Sequence, residues 1–251
     1  MARRGAFWIR TGLILVALAG LEIACRTGQL SRLSVIAPSE MVESAWKILA
    51  SGQATPDLLF SLKNTALAAT ISIFVGFALG VALHFLPRLR QASDPMLAAY
   101  YAVPTFVLYP VLIILFGLGS ASLVILGSLF GVVSMVVSTL IGLDSVSPAL
   151  RDTAVAMRIG PVRSLFFIEV PAASLHLVGG VKLAIAYSII GIVAGEFILS
   201  TNGIGKQIAF AYNDFNTPAM YGFLVLLLSF VIIVNLALQK FENSMHARWG
   251  I

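Results

Sequence analysis

Long apolar runs alternate with short polar stretches along the chain. Runs close to 20 residues cover 7–25, 62–86, 95–118, 123–143, 176–199 and 219–238. A helix rising about 1.5 Å per residue crosses the roughly 30 Å hydrocarbon core in about 20 residues. The pattern therefore predicts about six transmembrane helices. A β-barrel would instead show segments of roughly ten residues with alternating polarity, and these runs are unbroken. The expected fold class is an all-α integral membrane protein.

The runs differ in what interrupts them. Residues 7–25 follow Arg3 and Arg4 and read either as a secretory signal or as a retained first span; Glu22, three residues before Cys25, favours the retained span. Residues 26–60 are mixed, and Pro38-Ser39-Glu40 followed by Val42, Ala45, Trp46 and Leu49 predicts a capped amphipathic helix on the outer surface, ending near Gly52. Trp46 there is either an interfacial anchor or a packing residue. The chain thus divides into 1–60, a first span with an external amphipathic segment, and 61–251, a five-helix core. In the second span Gly76 and Gly80 form a small-xxx-small pair, suited to close helix approach within the chain or between copies. The third carries Pro104 and Pro110, which predict a bend. Ser134 and Ser138 lie one turn apart in the fourth, placed either to meet a polar solute or to bond neighbouring backbone. The fifth holds Lys182 and Glu196, and intramembrane ionisable residues are functional candidates. Residues 202–218 are expected outside.

A polar and basic island at 147–171 separates the fourth and fifth runs. Ser147 can cap a helix, Pro148 suits its first position, and Gly160-Pro161 stops it. Leu150, Ala154 and Met157 then share one face, and Arg151 and Arg158, one heptad apart, share another. Two readings stand: a docking element, or a positive-inside loop whose arginines only fix orientation.

Composition agrees with the run pattern. Hydrophobic residues make up 59% and charged residues 11%, with a mean hydropathy of +0.97, against about 25% charged in soluble domains. Most Lys and Arg residues fall in segments that the six-span layout places inside, with both termini cytoplasmic, so the net charge of +5 reflects orientation and no nucleic acid partner is invoked. One cysteine excludes an intrachain disulfide. His84, His176 and His246 are too dispersed for a metal site. Neither a phosphate-binding GxxxxGK[ST] loop, an HExxH nor a serine nucleophile elbow occurs, so no catalytic residue is assigned.

The island resembles the cytoplasmic loop of binding-protein-dependent ABC importer permeases, whose motif runs acid-Ala-Ala, three residues, Gly, a spacer and Ile-x-Leu-Pro. Ala154-Val155-Ala156, Met157-Arg158-Ile159, Gly160 and Ile168-Glu169-Val170-Pro171 occupy those places. Ala154 replaces the acid, Asp152 stands two residues earlier, and the spacer is two residues shorter. Pro104-Thr105 to Pro110 with Phe116-Gly117-Leu118-Gly119, Gly179-Gly180-Val181-Lys182, and Ala194-Gly195-Glu196 before Gly203-Ile204-Gly205 resemble the nitrate, taurine, alkanesulfonate and bicarbonate permease branch.

The resemblance implies a type I ABC importer permease-like fold with a cytoplasmic coupling helix, in the bacterial inner (plasma) membrane. It also implies a second copy of the chain, two cytoplasmic ABC ATPase subunits that bind ATP and Mg, and an extracytoplasmic solute-binding protein, with no cofactor on this chain. Coupling to the ATPase falls to Leu150, Arg151, Asp152, Ala154, Met157, Arg158, Gly160 and Pro171. Tyr100, Tyr101, Thr105, Tyr109, Ser134, Ser138, Tyr187 and Glu196 are candidates for the path of a small polar or anionic solute. The alternative, a stand-alone secondary transporter driven by an ion gradient, would show inverted repeats and carboxylates in relay positions. No convincing repeat is visible, and Glu196 is the main candidate acid.

Overall fold

The computed structural model describes residues 2–100 and 103–249, leaving undescribed the side chains of 2–8, 10, 241 and 243–249. Among the described residues every regular element is helical. Four helices are long and apolar enough to cross a membrane: α3 (Thr55–Phe85), α6 (Ser120–Asp144), α10 (Ser174–Ile198) and α12 (Thr217–Trp249), the last over Thr217–Lys240. A bent pair, α4 (Pro87–Tyr100) with the segment Thr105–Phe116, passes the same test as one broken span. The amino-terminal helix α1 (Ala2–Arg26) is continuous through Cys25 but is not among the helices that pass this test, so among the described residues four or five spans stand where about six were expected.

The third predicted span is corrected in form. Its helix starts at Pro87 instead of Pro95, and the arms before and after the break differ in direction by 96°. Pro104 is extended, at φ −69° and ψ 90°, and precedes a 3₁₀ turn at Thr105–Leu108; Pro110 opens α5 (Tyr109–Phe116) near its first position. A proline at a helix start costs no hydrogen bond, because that N–H has no partner anyway. Pro110 therefore begins a helix where a bend within one was expected. Residues 202–218, expected as an external loop, contain α11 (Ile204–Asn213).

α6 lies between α3 and α10, and these three form the core. Their backbones approach closely at glycines. A Cβ at Gly191 of α10 would lie 2.8 Å from the Cα of Gly127 in α6, and one at Gly76 would lie 2.6 Å from the Cβ of Met135. Gly76 and Gly80 thus serve packing within the chain, against Met135 and Thr139 of α6. Gly191→Val is expected to wedge α6 from α10 and cost roughly 1–3 kcal/mol, seen as a lower unfolding midpoint in detergent. Gly179→Ala, where a Cβ meets nothing within 4 Å, should leave that midpoint unchanged or raise it.

Outside this core, α2 (Pro38–Ala50) runs along α12, with Ala45 and Ile48 against Gly222. Trp46 is 69% exposed and points away from the bundle, as an interfacial anchor would. Glu22 joins α1 to α2. It accepts bonds from Arg26 Nε at 2.6 Å and from the Ser39 hydroxyl and amide at 2.7 and 3.1 Å. Most of the α12 span is half-buried or exposed beyond its packing on α2 and α11, which leaves part of its surface to lipid or another subunit.

Candidate functional site

The island folds as the helix α7 (Pro148–Ala156), the short turn α8 (Pro161–Ser164), a π turn at Leu165–Glu169 and the single turn α9 (Val170–Ala172). Pro148 occupies the predicted helix start. Ser147 contributes its carbonyl, which accepts the Leu150 amide at 3.0 Å, while its hydroxyl makes no capping bond. The end of the helix differs from the expectation. Arg158 takes a left-handed conformation, φ 56°, and the amides of Ile159 and Arg158 reach back to the carbonyls of Ala154 and Val155, both at 2.9 Å. This is a Schellman closure, normally built on glycine. It stops the helix two residues before Gly160. Gly160 itself is extended (φ −65°), and a Cβ there meets nothing within 4 Å. Gly160→Ala should therefore leave folding and transport unchanged, checked by expression level and uptake rate.

Pro171 explains the π turn. It has no N–H for the carbonyl of Phe167, so the preceding turn widens and the Val170 amide bonds to Leu165 five residues back.

Termination at Arg158 also separates the two arginines expected on one face. Arg158 projects outside the helix and is exposed, as are Asp152 and Gly160. Arg151 turns back toward the bundle. Its Nη2 donates to the Leu143 carbonyl at 2.6 Å, at the last turn of α6, and its Nε lies 3.3 Å from Glu169 Oε2. Glu169 is buried and also accepts the Ser164 hydroxyl at 3.3 Å. His84, near the end of α3, has Nε2 3.9 Å from Glu169 and 3.5 Å from Arg151 Nη2, and Nδ1 3.2 Å from Asp144. Arg90 of α4 closes the frame with two bonds to Asp144, at 3.0 and 2.6 Å. Arg151 Nε and His84 Nδ1 sit at ion-pair distance without linear hydrogen bonds.

Apolar residues of the island divide the same way. Ala154 is buried against the chain itself, a correction to its expected place on an exposed face with Leu150 and Met157. Leu150, Val155 and Met157 are exposed at 44%, 74% and 68%. Val162, Phe166 and Phe167, not singled out in the sequence, are exposed as well. Their signal was an apolar pair, Phe166-Phe167, inside a basic stretch. Pro171 is half-buried.

Of the residues expected along a solute path, Tyr100 lies beside Thr105 and Tyr109 beside Glu196. Tyr101 lies outside the described residues. Tyr109 is buried and its hydroxyl donates to the Leu199 carbonyl at 2.5 Å; Tyr100 donates to Leu129 at the same distance. Thr105 is buried, 3.4 Å from the Val103 carbonyl. Ser134 back-bonds to Gly131 at 2.7 Å, Ser138 packs on Gly180, and Tyr187 is half-buried. Glu196 is buried at 1% exposure. Its carboxylate accepts the Ser61 hydroxyl at 2.8 Å and the Gly205 amide at 3.0 Å. Ser61 in turn accepts the Ile204 amide at 2.9 Å, and Asp57 accepts the Gly203 amide at 2.6 Å and Gln207 Nε2 at 2.5 Å. Three side chains thus satisfy the amides opening α11, a role for Asp57 and Ser61 that the sequence did not suggest.

An apolar groove of about 550 Å³ lies between α10 and α12, lined by Phe106, Val193, Phe197 and Leu227 among others, and it contains none of the predicted path residues. Its α10 wall, 189, 190, 193, 194, 197 and 198, was readable as a helical stripe. Among the described residues no group of three or more His, Cys, Asp or Glu side chains is placed to hold a metal ion.

A bundle of long apolar helices with a short, well-terminated helix strapped to one end defines a multi-span integral membrane protein. Residues 72–247 match the model of the binding-protein-dependent transport system inner membrane component, and the chain belongs to that family of ABC importer permeases. It is similar to the riboflavin transport system permease protein RibX of Chloroflexus aurantiacus, 32% identical over 53% of this chain and 50% of that one, so the match spans half the relative's length. It is also similar to the taurine transport system permease protein TauC of Escherichia coli K12, 24% identical over 75% of this chain and 68% of that one. An inward-facing structure of the MetNI methionine ABC transporter shares the fold, with TM-score 0.64 at 17% identity over 75% of this chain and 96% of that one.

Proposed function

We propose that α7 docks on a cytoplasmic ABC ATPase and passes its motion to the spans, moving a solute inward by alternating access. The observation that carries this reading is the division of the island: Arg151 and Ala154 are turned into the chain, while Leu150, Val155, Met157, Asp152 and Arg158 are left outward. Exposed apolar side chains with charged ones among them suit a protein partner. ATP and Mg belong to two ATPase subunits, one for each of two copies of this chain, and a solute-binding protein delivers solute from the far side. ATP does work here only by favouring one arrangement of the assembly over another.

The positive-inside bias supports an orientation with both termini and α7 in the cytoplasm of a bacterial inner membrane. The peripheral unit is α1 and α2, and the core begins with α3 at Thr55, a few residues before the expected boundary at 60/61. The solute belongs to the small polar or anionic class that includes nitrate, taurine and other sulfonates, or a related small organic compound; the relatives' names support a broad class rather than one compound.

A sodium- or proton-driven carrier would need an accessible intramembrane acid. Glu196 is enclosed and occupied by α11, which counts against that reading.

The test is reconstitution of this chain in liposomes with the ATPase and binding protein encoded beside it. ATP hydrolysis stimulated by loaded binding protein, with solute uptake, is the expected result. Uptake by the chain alone under an ion gradient would refute it.

A further inference from the structure

Arg151 is the kind of residue a docking helix presents to a partner, yet here it is drawn inward. Its guanidinium meets a carbonyl at the end of α6 and the buried carboxylate of Glu169, and lies 3.5 Å from His84. His84 meets Asp144, and Asp144 holds Arg90. A continuous chain of polar contacts therefore joins α7 and the π turn to the inner ends of α3, α4 and α6.

We propose that Arg151 and Glu169 are positioning residues that make α7 and those inner ends one rigid lever, so that a push on α7 displaces the spans instead of rocking α7 on its loops. The proposal rests on the docking role given to α7 above. The covalent links alone are a few residues on each side, 145–147 and 157–160, which permits rocking. The Glu169 side chain is 7% exposed, so its attraction to Arg151 is poorly screened by salt. Removing Arg151 takes the guanidinium away from a carboxylate that is only 7% exposed, whereas removing Glu169 leaves Arg151, 36% exposed, held by the Leu143 carbonyl. Ala154, buried one turn further along α7, adds the apolar contact that fixes the helix's roll.

Two measurements on the reconstituted assembly test this. In Arg151→Met and Glu169→Gln, ATPase co-purification is retained while solute moved per ATP hydrolysed falls about tenfold; Glu169→Asp restores part of that ratio. In the otherwise unaltered chain, with Cys25→Ser and spin labels at Thr153→Cys and Leu89→Cys, both exposed and outside the docking contact, the distance between α7 and α4 stays the same with and without ATP. An unchanged solute-to-ATP ratio in both substitutions, or a Thr153–Leu89 distance that changes with ATP, overturns the lever while leaving docking intact. Absence of ATP-driven uptake by the unaltered assembly overturns the docking reading, and the lever with it.

Discussion

The double variant Val155→Asp, Met157→Asp is expected to insert and fold but to lose its ATPase on purification, and with it all ATP-driven uptake. Both side chains are more than two-thirds exposed, so neither contributes to the chain's own core. At an interface each apolar side chain contributes about 1.5–3 kcal/mol on burial, and each new carboxylate adds a desolvation cost. A loss of about 3 kcal/mol is roughly a hundredfold in affinity. Arg158→Glu reverses a charge next to Met157 in the chain and should weaken association less. Co-purification through a tag on the ATPase, compared at equal membrane expression, reads the effect. Undiminished co-purification of the double variant would place the contact elsewhere.

Glu196→Ala is expected to have the largest effect on stability. The substitution leaves the Gly205 amide and Ser61 hydroxyl without the acceptor they share, in a site at 1% exposure. Unsatisfied buried donors cost about 1–3 kcal/mol each, before the cavity is counted. The combined loss is about 3–5 kcal/mol. Unfolding in detergent should begin at markedly lower temperature, with α11 the first region to gain protease sensitivity. Glu196→Gln, which keeps one acceptor oxygen, should fall between. Gly203→Ala attacks the same joint from the other side, since residue 203 has φ +110° and a Cβ would run into the Glu196 carboxyl. A wild-type unfolding profile for Glu196→Ala would show that the clamp carries little energy.

The long spans were legible because lipid imposes a length and an apolarity that composition reports directly. α6 and α10 fall within a few residues of their predicted limits. α3 begins seven residues before the predicted run. Its first turns carry Asp57 and Ser61, polar residues that hydropathy reads as loop and that are buried because α11 supplies their donors. α11 was missed since ten residues of mixed polarity resemble a loop, although Ile204, Ile208 and Ala211 keep helical spacing and are all buried. The start of α7 was readable from Pro148. Its end was not, because arginine is an uncommon choice for the left-handed position that closes it. The inward turn of Arg151 was equally hidden. Its partners Glu169 and His84 lie 18 and 67 residues away, and only the packed fold decides that they meet.

Chemical cross-linking gives the most direct test of the account. With Cys25→Ser and Met157→Cys in the complete assembly, a short thiol-to-amine cross-linker is expected to yield one adduct whose mass is this chain plus the ATPase, abolished when aspartate also replaces Val155 and Leu150, both exposed. An adduct with the solute-binding protein, or none with the ATPase while the assembly remains active, would contradict it.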